Sequence, residues 1–471
     1  MSDALVIGSG PNGLAAAITI AGAGRSVRVL EAQPTIGGGA RSAELTLPGF
    51  VHDRCSAIHP MAAGSPFFRE LPLARHGLDW IQPPLALAHP LDDGTAAGLS
   101  ISLDETCASL GGDGRAYRRL MTPLIRHSEA LANEFLQPLL HVPRHWMLAP
   151  FGLLALQSAT GLARRTFRGE TARALFAGLA AHSFLPLDAP ASAAIGLVLG
   201  MMAHAVGWPL PRGGTQRMSH ALAGYLRELG GTIEVNHPVA DLREFTDARA
   251  ILLDLSAWGA ACVAGDRLPA RYRRRLERFP HAPSVFKIDY ALDGAIPWKA
   301  EACGRAGTVH LGGTLKEIAE GESESAGGRL PGRPYVLLAQ QSLFDPTRAP
   351  AGKQTAWAYC HIPRGCDSDC TEIIERQIER FAPGFRDRVL ARHATSPSAL
   401  ESGNANLDGG DICGGANDLW SLLARPTLSF TPYRMPSSGL YLCSSSTPPG
   451  GGVHGMCGHH AARAALDREL R

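Results

Sequence analysis

Ala4-Leu5-Val6-Ile7-Gly8-Ser9-Gly10-Pro11-Asn12-Gly13 sets a short apolar run directly before a Gly-x-Gly-x-x-Gly turn. An alanine-rich stretch over residues 14–23 follows, and Gly22 and Gly24 mark its end. Val27, Val29 and Leu30 then form a second apolar run, closed by Glu31 and Ala32. This periodicity predicts strand, helix, strand. In that setting Gly8 permits a tight turn, Gly10 lets the backbone approach a pyrophosphate, and Gly13 lets helix and strand pack closely. The helix start, with Pro11 and Asn12, offers N–H groups and a positive dipole end to phosphate. Glu31 stands where an acidic residue accepts hydrogen bonds from a ribose. The unit reads as dinucleotide-binding.

Ile36-Gly37-Gly38-Gly39-Ala40-Arg41-Ser42 comes directly after the ribose-binding strand. Such a turn presents backbone N–H groups and one guanidinium to the other side of the pyrophosphate, and arginine suits a bidentate phosphate contact. The stretch resembles the second fingerprint of FAD enzymes related to amine oxidases and phytoene desaturases. Residues 439–455 run from Gly439 through Ser444-Ser445-Ser446-Thr447-Pro448-Pro449 to Gly450-Gly451-Gly452-Val453-His454-Gly455. They resemble the closing FAD motif of bacterial carotenoid desaturases and of the animal pyridine nucleotide-disulfide oxidoreductase domain-containing protein 2. The three serines stand where that family usually has glycines, and Pro448 where it often has histidine. Pro211-Arg212-Gly213-Gly214, before a helix over residues 217–229 and a strand over 232–235, is similar to the family's Pro-x-Gly-Gly segment.

The chain therefore resembles the phytoene desaturase-like FAD-dependent oxidoreductases over essentially its whole length. The resemblance implies FAD as cofactor, held by the first motif with Glu31 and Ala32, by Gly38, Gly39, Ala40, Arg41 and Ser42, by Val239 near the adenine, and by Gly451, Gly452 and Val453. It also implies dehydrogenation, a carbon–carbon desaturation, of a largely apolar small molecule by hydride transfer to the flavin, with oxygen or a quinone as acceptor. An amine or alcohol oxidase of the same fold, a redox-neutral FAD-dependent isomerase, and a flavin-bearing interaction protein are the alternatives. His59 and His454 fall where this fold can approach the flavin ring and are the candidate catalytic groups; structural hydrogen bonding is the rival role.

Glycine-rich, strand-bearing segments at the start, middle and end predict an α/β protein with a Rossmann-like FAD-binding domain that is discontinuous in sequence. Residues 1–70, 205–275 and 425–471 are assigned to it, and residues 71–204 and 276–424 to an inserted α+β substrate domain. A Gly/Glu/Ser-rich stretch over residues 320–332 reads as a mobile loop. Two apolar stretches, residues 147–163 and 191–210, are each too interrupted by polar residues or proline for a bilayer span; they read either as walls of an apolar tunnel to the flavin or as ordinary buried core.

At 471 residues the chain is long enough for two or three domains. A net charge of +2, with Lys287, Lys299, Lys316 and Lys353 as its lysines, gives no field that would attract nucleic acid. Ten scattered cysteines and an N-terminus that enters a strand at once predict a cytoplasmic protein, soluble or resting on a membrane surface. Cys360, His361, Cys366 and Cys370 match no standard ligand spacing, so no metal is expected. No Cys-x4-Cys pair of a disulfide reductase follows the first motif. Gly111-Gly112-Asp113-Gly114 and Gly312-Gly313 are read as lying outside any strand-led fingerprint, which predicts no NAD(P)H domain.

Overall fold

The computed structural model describes residues 2–245 and 247–471. Five strands form a wholly parallel sheet in the order Leu440–Leu442, Ala250–Leu253, Ala4–Ile7, Val27–Leu30 and Thr232–Glu234. Helices cover both faces, so Ala4–Ile7, Ala250–Leu253 and Leu440–Leu442 are continuous buried apolar runs, while Thr232–Glu234 forms a more exposed, polar edge. Winding starts at Ala4–Ile7, proceeds first toward one edge and later toward the other. The switch point lies between Ala4–Ile7 and Ala250–Leu253, and the crevice beyond the carboxyl ends of such strands is where an open α/β sheet binds ligands.

The helices Pro11–Gly22, Gln216–Glu228 and Met456–Leu466 pack together on one face. The last of them crosses the first very closely. A Cβ on Gly458 would stand 1.8 Å from the Asn12 carbonyl oxygen, so only glycine permits the crossing. The helix Ala257–Ala264 covers the opposite face, against Leu5, Ile7 and Leu30.

A second sheet of seven strands is mixed. Its order is Val389–Thr395, Ser284–Leu292, Gln354–Ile362, Val336–Ala339, Ala306–Leu311, Leu85–Pro90 and Ala96–Leu99. Its neighbours are antiparallel except Ala306–Leu311 beside Leu85–Pro90. The helices Glu170–Ala181 and Ala193–Ala205 pack on each other against one side, and Thr371–Phe381 lies on the other. The α/β class, with a parallel sheet assembled from distant segments and a separate mixed sheet, is the architecture expected from the glycine pattern.

Three sequence expectations change. Residues 320–332 are not a loop at their start, because the helix Leu315–Ala326 runs through them. Thr314 and Glu317 form a capping box, and Leu315, Ile318, Glu322 and Ser325 repeat at helical spacing into the core. Gly312-Gly313 does join a strand to a helix, Ala306–Leu311 to Leu315–Ala326, contrary to the sequence reading. Its helix start is already filled, however: the Leu315 amide donates to Glu170 at 2.6 Å and the Glu317 amide to Thr314 at 3.3 Å. Residues 147–163 break into Leu148–Ala155 and Ala159–Thr166, the second capped by Ser158. Among the described residues, no helix is long and apolar enough to cross a membrane.

Candidate active site

The first glycine turn is built as its spacing requires. Gly8 has a left-handed φ of +100°, and its amide donates to the Leu30 carbonyl at 2.8 Å. A Cβ on Gly13 would lie 2.2 Å from the Gly8 carbonyl oxygen. The Gly13 amide is not left free: it donates to Asp254 Oδ2 at 2.9 Å. Asp254 ends the neighbouring strand and is buried, and burial pushes its carboxyl up to about 7 against the opposing pull of the Gly13 hydrogen bond. Glu31 accepts from the Ser9 amide at 3.0 Å, the Ser9 hydroxyl at 2.5 Å and the Gln33 amide at 2.9 Å, which fixes its carboxylate at the end of the second strand.

The second glycine segment folds back on the first. Gly37 and Gly38 have φ of +117° and +56°, and a Cβ on Gly38 would approach the Gly10 Cα to 3.0 Å. Arg41 is buried, donating from Nε to the Gly38 carbonyl at 2.6 Å and from Nη2 to the Gly403 carbonyl at 2.7 Å. No hydrogen bond occupies its Nη1 among the described residues. At the C-terminal turn, Ser446 donates to the Gly414 carbonyl at 2.9 Å and accepts from the Ala257 amide at 3.1 Å. Arg425 donates to the carbonyls of Ser445, Ala416 and Cys413, so the serine-rich turn is tied to the segment beside it.

These pieces converge on one cavity of about 590 Å³. Gly8, Gly10, Pro11, Asn12, Glu31 and Ala32 line it, with Gly38, Gly39, Ala40, Arg41, Val239, Gly451, Gly452 and Val453. Gly13 and Ser42 stand behind that wall. The Ser42 hydroxyl donates to Asp53 at 2.7 Å, and Asp53 also takes the Thr215 amide at 2.8 Å and Arg348 at 2.6 Å. Burial works upward on Asp53, but Arg348 and these hydrogen bonds hold it below the usual carboxylate range.

The two candidate histidines separate. His59 lines the cavity. Thr215 commits its hydroxyl proton to the Ser56 carbonyl at 2.7 Å, so His59 donates from Nε2 to Thr215 at 3.1 Å. That leaves Nδ1 as a bare lone pair with no partner, on a ring whose burial brings it down to about 4. His454 does not line the cavity. Its Nδ1 accepts from the Met456 amide at 3.1 Å and its Nε2 meets the Gly450 carbonyl at 3.2 Å, so it braces the turn into the last helix.

Residues 6–71, which hold both glycine segments, match the family model of the NAD(P)-binding Rossmann-like domain. The whole chain is 28% identical to mouse pyridine nucleotide-disulfide oxidoreductase domain-containing protein 2, covering 94% of that protein. It is 27% identical to a phytoene dehydrogenase of Streptomyces griseus, over 82% of this chain and 77% of that one. The chain is a distant homologue of the phytoene dehydrogenase-like FAD oxidoreductases. A crystallised oxidoreductase from Methanosarcina mazei shares the fold, with a TM-score of 0.66 over 99% of this chain and 100% of its own at 17% identity.

The opposite wall of the cavity was legible in the sequence only in part, through the apolar stretch 191–210. Ala194, Ile195, Val198 and Leu199 of the helix Ala193–Ala205 face it, as do Leu337 and Trp357 of the mixed sheet. The stretch 191–210 thus supplies a wall, whereas 147–163 does not; it packs outside that helix. Lys287 also reaches the cavity, buried, with its ammonium 5.6 Å from the Trp357 ring centroid and bonded to Asp289. Its signal in the sequence was a lysine inside an uninterrupted strand, residues 284–292, in a chain with four lysines. Asp254 carried no motif of its own and becomes visible only through its contact with Gly13.

Proposed function

We propose that this chain binds FAD non-covalently in the cavity and dehydrogenates a largely apolar small molecule. One observation carries the reading: the same cavity has glycine backbone, Glu31 and Arg41 along one side and Ala194, Ile195, Val198, Leu199 and Leu337 along the other. The residues present fit the cofactor. Gly10 and Gly38 leave bare backbone where any side chain would collide, Arg41 keeps one guanidinium nitrogen available, and Val239 lines the same cavity as Glu31. When bound, FAD supplies a hydride acceptor, which no side chain can do.

The chain's own part is positioning and proton handling. The apolar wall excludes water and holds a hydrocarbon by contact area alone. His59 is uncharged near neutral pH and can accept a proton at Nδ1, the atom left without a partner. Lys287, paired with Asp289 on its own strand, adds a buried ion pair to the cavity wall beside Trp357, where it can meet a polar end of the substrate. The S. griseus relative, named a phytoene dehydrogenase, supports an extended polyene-like substrate class.

Anaerobic mixing of the purified flavoprotein with a conjugated or conjugatable isoprenoid tests the reading. Stoichiometric loss of flavin colour with a longer-wavelength product supports desaturation. Product formation with no change in flavin redox state shows an isomerase instead, and bleaching by amines or alcohols alone shows an oxidase.

A further inference from the structure

Among the described residues, nine of the thirteen large apolar side chains left exposed fall in two short segments, Leu139, Val142, Trp146, Leu153 and Leu156 in the first and Leu419, Trp420, Leu428 and Phe430 in the second. Val142 is 84% exposed, Phe430 83%, Leu153 71% and Trp146 67%. The first segment is amphipathic in an inverted sense. Phe151 and Ala155 of the helix Leu148–Ala155 are buried toward Ala193–Ala205, while Trp146, Ala149, Leu153 and Leu156, spaced three, four and three residues apart, present an apolar stripe to solvent. His460 ties the bases of the two segments together: its Nε2 meets the Leu136 carbonyl at 3.0 Å, and its ring stacks on Tyr433 at 5.9 Å.

Charge on the first segment is one-sided; beside the second stands Asp418, which caps the helix Leu419–Leu423 by accepting the Trp420 and Ser421 amides. No aspartate or glutamate occurs between Glu134 and Glu170, whereas Arg144, Arg164, Arg165 and Arg168 do. Beside Trp146 lies a cleft lined by Arg115, Arg118, Arg119 and Arg126 of the helix Gly114–Arg126, which contains no carboxylate. Asp104 pairs with Arg118; Arg115, Arg119 and Arg126 have no carboxylate partner among the described residues.

We infer that this face docks on an anionic phospholipid bilayer. Apolar side chains with tryptophan at their centre and arginine at their flank match the acyl–headgroup boundary, where aromatic rings settle and phosphates draw guanidinium groups. A second copy of the chain fits less well, because a two-fold contact through this face would set the arginine cleft against its own image. Leu422, between Trp420 and Leu428, lines the flavin-class cavity, so the docking face adjoins the site. Lipid binding itself does not depend on the reaction proposed above.

Co-sedimentation of the purified full chain with vesicles of phosphatidylcholine, alone or mixed with phosphatidylglycerol, tests the inference. The chain is expected on the mixed vesicles, weakly on pure phosphatidylcholine, and less as salt rises. Two exposed pairs of substitutions read the two components. Trp146→Ser with Phe430→Ser, and Arg119→Glu with Arg126→Glu, are each expected to reduce vesicle binding by about tenfold or more while thermal unfolding stays where it was. Failure of the native chain to bind mixed vesicles overturns the inference, as does unchanged binding by both variants. A dimer that these substitutions dissociate, or RNA binding that the charge reversal abolishes, in a chain that ignores vesicles, assigns the face to that partner and overturns it equally.

Discussion

Asp254 Oδ2 accepts the Gly13 amide at 2.9 Å, which sets a carboxyl group directly beneath the glycine turn that the cofactor reading gives to a pyrophosphate. A Cβ on Gly10 would lie 2.5 Å from the same oxygen, so turn and carboxyl are in contact at two points. An ionised Asp254 and a pyrophosphate repel each other, and a protonated one does not.

This contact predicts a pH-dependent cofactor affinity. Burial already raises Asp254 to about 7, and a neighbouring diphosphate raises it further. FAD affinity is therefore expected to be highest below about pH 7 and to weaken above it, by at most about tenfold per pH unit. Asp254→Asn should flatten that profile. The same group gives a stability signature in the cofactor-free protein. Its folded value lies above the ordinary 3.8, so its contribution is complete below about pH 4 and is lost as pH rises through about 7. Urea unfolding should find Asp254→Asn progressively more stable than the native chain as pH rises from about 4 to about 7, by up to a few kcal/mol, and the difference should be level above that. A constant difference across that range would show that Asp254 does not titrate there.

Gly458 and Gly22 should respond in opposite ways to the same added methyl. At Gly458 the methyl meets the Asn12 carbonyl, and both partners are backbone within packed helices. Gly458→Ala is expected to cost on the order of 1–3 kcal/mol and to loosen cofactor retention, since Asn12 opens the cofactor-facing helix. At Gly22 nothing lies within 4 Å, and Gly22→Ala should be neutral or stabilising by up to about 1 kcal/mol. Thermal unfolding with flavin fluorescence as a second probe distinguishes them.

Leu199 and Met202 lie on one helix but face different surroundings. Leu199 faces the cavity, whereas Met202 is buried and its sulfur lies 2.7 Å from where a Cβ on Gly64 would be. Leu199→Gln should leave fold and flavin content intact while lowering turnover or substrate affinity. Met202→Gln should lose several kcal/mol of stability through an unpaired buried amide. Equal destabilisation by the two would remove Leu199 from the substrate wall.

NADH and NADPH are expected to reduce the flavin poorly. The second strand–glycine–helix junction, at Gly312-Gly313, has its helix start occupied by Glu170 and by the Thr314–Glu317 capping box, which leaves no room for a second pyrophosphate. Anaerobic stopped-flow mixing measures this, and rapid bleaching at micromolar nucleotide would contradict it.

What the sequence disclosed follows from how local each feature is. The βαβ unit was legible because its period, its glycines and Glu31 lie within residues 4–31, where each position constrains the next. The discontinuous sheet was legible because each strand arrives with its own turn or helix. The helix Leu315–Ala326 was hidden by glycine, serine and glutamate, residues that suggest a loop until Thr314 and Glu317 are seen to cap it. Asp254 and Lys287 were hidden for a different reason. Asp254 acts through Gly13, far off in sequence, and Lys287, though paired with the nearby Asp289, reaches the cavity only beside the distant Trp357; no spacing encodes such placements. His454, which the glycine turn made attractive, is held by that turn's own backbone.

Every role proposed for these residues turns on the identity of the bound group. Acid precipitation of the purified protein, followed by chromatography of the released chromophore, measures it directly. The expected result is FAD close to one per chain, reduced in Arg41→Ala by a loss of about 1.5–3 kcal/mol in affinity. Release of FMN, or a colourless protein that added FAD cannot restore, would contradict the account.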